Sequence, residues 1–227
     1  MINFLFVFLL FTDIHASSLR EVPFVLGMSS HTHLLRQIPS FQLKKEGYSL
    51  RPYHKTEGNI QALKDILSDD VVYPTIGKGI KITEEEIFER HREYISANMA
   101  FEKGTPYDPD TFGLCWLLIE NESNKIIGRG GFQEEGDLGQ PYSEIFFAIK
   151  GEHQKKGLGS MAFSELLDWF EKNFPLQPLL WLSMPENIKS IRIAEKLGFS
   201  SFINNFNHNQ LKIPYADKEF LVFIRNH

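Results

Sequence analysis

The run Gln154-Lys155-Lys156-Gly157-Leu158-Gly159 has the residue types of a phosphate cradle. It follows the apolar stretch Glu144 to Ile149 and opens an amphipathic segment beginning Leu158-Gly159-Ser160. The first amides of a helix have no partner within it, and the helix dipole is positive at that end, so the two together hold an anion. Glycine there tolerates positive φ and lets a ligand approach the backbone closely. Lys155 and Lys156 place positive charge on the same turn. Farther on, Asn187 and Ser190 stand three residues apart at the head of a second short helix, a spacing that suits an N-cap. Glu144 sets a carboxylate at the head of the strand that leads into the turn.

These groups need a scaffold, and the hydrophobic pattern supplies one. Leu50 to Tyr53 reads as a first strand. Ile60, Leu63, Ile66 and Leu67 have helical spacing within Asn59 to Leu67. Thr83 with Glu86 three residues on reads as a capping box, opening a helix that runs to about Met99. Gly104 to Asp110 is a loop with two prolines. Strands follow at Phe112–Glu120 and Lys125–Glu134, joined by the turn Asn121 to Asn124, and then at Tyr142–Ile149. Phe163, Leu166, Leu167 and Phe170 form a stripe fit to cover a sheet. Leu179 to Met184 is the next strand, and the intervening helix makes it parallel to Tyr142–Ile149. Asn187 opens a helix that Gly198 ends, with Phe199 as the contact beyond it. Ser200–Phe206 and Glu219–Ile224 close the sheet. The expected fold is α/β (α+β), a mixed, mostly antiparallel central sheet of about six to seven strands with helices on both faces.

Composition narrows the function. The chain has 227 residues, 42% of them apolar and 13% aromatic, enough for one domain with a core rich in its 20 phenylalanines. A net charge of −5 gives no sign of a nucleic-acid surface and suits a cationic amine as partner. The one cysteine, Cys115, excludes an intrachain disulfide and a cysteine-rich metal site, and its apolar neighbours make it a small buried hydrophobe. The eight histidines have no metal-ligand spacing, and His31 and His33 fall in a segment without periodicity. Trp116, Trp169 and Trp181 read as core.

Residues 1–39 form an apolar segment and tail apart from the domain at 40–227. The run Ile2 to Phe11 with Ile14-His15-Ala16-Ser17 behind it is signal-like, with cleavage after Ala16. The run is short for a bilayer span, and no Lys or Arg precedes it. A translation start at Met28 is a third reading.

Strand, Gln-x-x-Gly-x-Gly, helix, strand, then Asn-x-x-Ser-x-x-x-x-Glu-Lys-Leu-Gly-Phe (Asn187 to Phe199) is an order of parts that resembles the acetyl-CoA site of the GNAT N-acetyltransferase superfamily. It is most similar to the branch that acetylates ribosomal-protein N-termini, which also holds spermidine and antibiotic acetyltransferases. Tyr48-Ser49-Leu50-Arg51-Pro52-Tyr53 looks like that branch's first strand, so the resemblance covers residues 40 to 227. It implies that two central strands splay to admit acetyl-CoA. Phe147, Ala148 and Ile149 would then face the cofactor, with a backbone amide of Phe146–Ile149 meeting the oxyanion. Residues 154–159 and Ser160 would take the pyrophosphate, and Asn187 the pantetheine arm. Glu144 corresponds to the position facing the substrate amine and is the expected base. The thiolate-protonating tyrosine of many members is replaced by Ala194, which leaves Ser190 as donor to sulfur.

The expected activity is acetyl transfer to a primary amine, foremost a protein or peptide N-terminus, in the cytoplasm where acetyl-CoA is found, without metal. The other readings are acetylation of a polyamine or antibiotic, a non-catalytic module that binds acyl-CoA, and an exported interaction protein.

Overall fold

The computed structural model describes residues 38–225 apart from 55, 76–82, 106–112, 136–141, 203–211 and 216–217. The apolar amino terminus, Tyr107 with its loop, and Ile203 to Phe206 of the expected closing strand lie outside the described residues. No described helix is long and apolar enough to cross a membrane.

Period-two alternation organises the sheet. Strand β3 (Leu114–Glu120) is buried on both faces. Leu114, Trp116 and Leu118 enter one core cluster, and Cys115, Leu117 and Ile119 enter another. Side chains of successive strand residues point to opposite faces, so one apolar run serves both layers. Around it lie β1 (Phe41–Gln42), β2 (Tyr48–Pro52), β4 (Lys125–Glu135), β5 (Tyr142–Ile149), β6 (Leu179–Ser183), β7 (Ser200–Ser201), β8 (Lys212–Tyr215) and β9 (Lys218–Arg225). The order is β1-β2-β3-β4-β5-β6-β9-β7, with β8 on β9. Every described pairing is antiparallel except β5 with β6. The expected mixed sheet and its parallel pair are therefore present. The nine described strands exceed the expected six to seven because β1 and β8 are short segments paired at the periphery.

Helix α1 (Glu57–Leu67) is capped by Thr56, whose side chain accepts from the Asn59 amide. Helix α2 (Glu84–Glu102) begins at the capping box of Thr83 and Glu86. Leu63 and Leu67 of α1 and Ile87 and Tyr94 of α2 cover the Cys115 face. Asn98 ties α2 to the sheet: its Nδ2 donates to the carbonyls of Tyr53 (3.0 Å) and Cys115 (2.9 Å), and its Oδ1 accepts from the Cys115 amide. On the opposite face, Ala162, Phe163, Leu166, Leu167 and Phe170 of α3 (Leu158–Asn173) pack against Trp116, Phe132, Ile145 and Leu179. Phe101 is buried in this core against Trp169 and Phe174.

The sheet's central seam is short. β5 and β6 pair only at Ser143–Leu179 and Glu144–Leu180, whereas β4 and β5 pair at eight positions. Beyond Glu144 the two strands part, which is the splay that the resemblance implies.

Candidate active site

A cavity of about 750 Å³ fills the parting of β5 and β6. Residues of β5 from Glu144 to Ile149 line one wall, and Trp181 to Met184 line the other. Gln154, Lys155, Gly157, Leu158, Gly159 and Ser160 close one end. α4 (Ile188–Lys196) adds Lys189, Ser190, Arg192 and Ile193, with Asn187 before it.

The turn has the backbone that its glycine demands. Lys155 has φ +61° and Gly157 has φ +77°, and no side chain caps α3 at Gly157. No acidic residue lies in the first turn of α3, so its amides and dipole face the cavity without a competing anion. That arrangement fits a pyrophosphate. Gln154 turns its Nε2 back to the Ile149 carbonyl (3.0 Å), which fixes the exit of β5. Lys156 departs from expectation. It does not line the cavity: its Nζ lies 3.4 Å from His153 Nδ1, and its carbonyl accepts from Lys45. The left-handed residues on both sides of it turn its side chain outward.

Glu144 stands opposite Gln133 on β4, and Gln133 Nε2 donates to its Oε2 at 2.6 Å. Asn187 Oδ1 caps α4 by accepting from the Ser190 amide (3.2 Å). Trp181 Nε1 donates to Ser190 Oγ at 2.8 Å. A hydroxyl that accepts there has its own proton left to donate elsewhere. Trp181, read as core from sequence, is thus also a wall of the site and a partner of Ser190. Phe147 lies flat over β4, since a Cβ on Gly130 would fall 1.9 Å from its ring.

Four Lys and Arg residues of the cavity escaped the sequence reading. Lys189 and Arg192 are one turn apart on α4. Arg90 comes from α2 and Arg129 from β4. With Lys155 they make five cations, and Glu144 is the one carboxylate among the described lining residues. The net charge of −5 averages over the whole chain, while the cavity samples only its lining. Arg129 is 4% exposed. Its Nη1 donates to Tyr94 Oη, and its guanidinium lies over the rings of Tyr94 (5.5 Å) and Phe146 (4.8 Å). Burial raises the Tyr94 hydroxyl and pushes the Cys115 thiol up to about 12, with the Arg129 charge pulling both the other way. Cys115 is therefore an inert buried thiol.

Residues 49–200 match the family model described as an acetyltransferase (GNAT) domain. The chain belongs to the GNAT acetyltransferase family. No curated protein matches this sequence. Among solved structures, an acetyltransferase from Agrobacterium tumefaciens strain C58 aligns with TM-score 0.62 and 19% identity over 87% of this chain and 99% of its own. A ribosomal-protein-S5-alanine acetyltransferase from Vibrio fischeri aligns at 0.59 and 16%, over 83% and 96%. The aminoglycoside acetyltransferase AAC(6')-Ib, in complex with paromomycin and acetyl-CoA, aligns at 0.58 and 16%, over 80% and 94%. At these identities the solved structures share the GNAT fold with this chain, and their acceptors differ from one another. Among the described residues no group of three or more His, Cys, Asp or Glu could hold a metal ion.

Proposed function

We propose that this GNAT protein transfers the acetyl group of acetyl-CoA to a primary amine, foremost the α-amino group of a protein or peptide. One observation carries the reading: the uncapped N-terminus of α3, the Glu144 carboxylate and the Ser190 hydroxyl all line one cavity at the splay of β5 and β6.

The amides of residues 154–159 would hold the pyrophosphate, with Lys155, Lys189 and Arg192 adding charge. Asn187, whose Oδ1 is committed to capping α4, would offer its Nδ2 to the pantetheine arm. Glu144, anchored by Gln133, takes the proton from the attacking amine. A backbone N–H of Phe146–Ile149 holds the carbonyl oxygen as the N–C bond forms. The C–S bond then breaks, and the departing thiolate accepts a hydrogen bond from the Ser190 hydroxyl and takes its proton from solvent. A thiol's ordinary pKa of about 8.5 makes thiolate a tolerable leaving group, so a hydroxyl in place of the family's tyrosine suffices.

An α-amine, with pKa about 7.7–8.0, is far less protonated at pH 7 than a lysine or polyamine nitrogen. That suits a site with a single described carboxylate. The cationic lining also disfavours polycations such as aminoglycosides. The reading carries the cytoplasm as its location, where acetyl-CoA is supplied. Incubation of the protein with labelled acetyl-CoA and a library of amines and peptides, read by mass spectrometry, tests it. Label on free peptide N-termini is the expected result. Label only on spermidine or an aminoglycoside would overturn the choice of acceptor, and no label with any amine would favour a non-catalytic acyl-CoA-binding module.

A further inference from the structure

We propose that Arg129 is an acceptor-binding residue that pairs with a carboxylate carried by the acceptor, so that the preferred substrates are amines bearing an acidic group. The inference rests on the acetyltransferase reading above and names the acceptor class of that same cavity.

Arg129, Gln133, Glu144, Phe146 and Ala148 share one face of the sheet. The antiparallel register pairs Arg129 with Ala148, Gly131 with Phe146 and Gln133 with Glu144, and directly opposed residues project to the same side. The guanidinium leans over the Phe146 ring, 4.8 Å from its centroid, and therefore along β5 toward Glu144. Cation and base thus share the α2 side of the sheet, on the opposite face from α3, with Phe146 between them.

A guanidinium is always charged, and burying it without an anion is costly. Arg129 nevertheless has no carboxylate partner among the described residues. Its polar contacts among the described residues are the Tyr94 hydroxyl and the Cys115 thiol. The two aromatic rings compensate in part. Its Nε is buried and has no hydrogen-bond partner among the described residues, although most buried polar atoms are satisfied. Nε and Nη2 form one edge of the guanidinium fork, and Nη1, the atom bound to Tyr94, lies outside that edge. A side-on carboxylate takes two parallel N–H bonds from such an edge. The residue is already ordered by Tyr94 and Phe146, so little freedom is lost when an anion arrives. An acceptor carboxylate supplies both the missing partner and the missing charge.

Two sources offer this chemistry: the side chain of an acidic first residue in a peptide, and a small amino acid. The full chain is assayed with acetyl-CoA on matched pairs. One arm uses amide-capped peptides beginning Glu or Gln, and Asp or Asn. The other uses 4-aminobutyrate against butylamine. The carboxylate member is expected to have the higher kcat/KM by about tenfold or more, the worth of a charge-assisted hydrogen bond. The arm with the preference identifies the source. Arg129→Gln should bring the ratio to one, and Arg129→Lys should restore part of it. A purely structural residue would move both members together.

A second measurement needs no turnover: calorimetry of the Nα-acetylated Glu and Gln peptides against the wild-type protein with CoA bound. Tighter binding of the Glu product supports the assignment. Equal kcat/KM within every pair, with robust acetylation, overturns it and leaves acetyl transfer standing. If no amine is acetylated, the acetyltransferase reading fails, and equal binding of the two products then overturns the carboxylate site as well.

Discussion

Gly159→Ala should make the protein more stable and a worse binder of CoA. Gly159 is the second residue of α3. A Cβ there would meet only Ile149 Cδ1 at 3.7 Å, an ordinary contact. Replacing a helical glycine by alanine gains about 0.5–1 kcal/mol. For a domain of this size that is a rise in Tm of about 1–4 °C. The same methyl stands on the cavity wall where the proposal seats the pyrophosphate. Loss of one charge-assisted hydrogen bond costs about 1.5–3 kcal/mol, or roughly ten- to a hundredfold in Kd. Gly157→Ala is the control, because its φ of +77° strains any side chain by about 1–2 kcal/mol. Tm should fall there by about 2–8 °C together with affinity. Calorimetric titration with CoA and thermal melts on the three proteins separate the effects. A Gly159→Ala protein with raised Tm and unchanged CoA affinity would refute the seat of the phosphates.

Glu144→Gln should lower turnover more at neutral pH than at high pH, where the amine is already neutral, and a pH–rate profile like that of the wild type would remove Glu144 from the reaction. Ser190→Ala should cost less than Glu144→Gln, since thiolate leaves readily; a larger loss in turnover reverses that order. Trp181→Phe removes the indole donor to Ser190, for about 1 kcal/mol of stability, and should add nothing to the turnover defect of Ser190→Ala, a coupling that a double-mutant cycle measures. Cys115 should resist alkylation in the native protein and react only on unfolding. Its folded pKa, pushed by burial to about 12 from an ordinary 9.0, means that its contribution to stability is intact below pH about 9 and is lost as pH climbs toward 12; labelling and alkaline melts check both.

What the chain reveals before folding follows the range of the interactions involved. The capping box of Thr83 and Glu86, the cap of Asn187 on Ser190 and the glycine at 157 are contacts within a turn, and the sequence carries them openly. The order of elements also follows from local pattern. Arg129 does not. In Lys125–Glu135 nothing in the local pattern marks it, and its burial depends on Tyr94, 35 positions away, and on Phe146 across the strand pair. Trp181 misled for a related reason. It does pack in the core, against Phe163 and Phe199, while its single polar atom serves the cavity. Lys156 shows the reverse error, since adjacency in a motif does not set direction when positive φ on each side rotates the chain.

The two-position seam between β5 and β6 makes the sheet two half-sheets, joined across the gap by α3 and the side chains beneath it. The native state therefore keeps an internal surface unclosed by backbone hydrogen bonds. A molecule seated in the gap binds the closed native arrangement and has no counterpart in the opened one. Occupancy at a hundredfold excess over Kd then adds about 2.7 kcal/mol against unfolding, a sizeable share of a typical domain's total. A bound ligand would therefore also lower the population of the opened form that proteases attack.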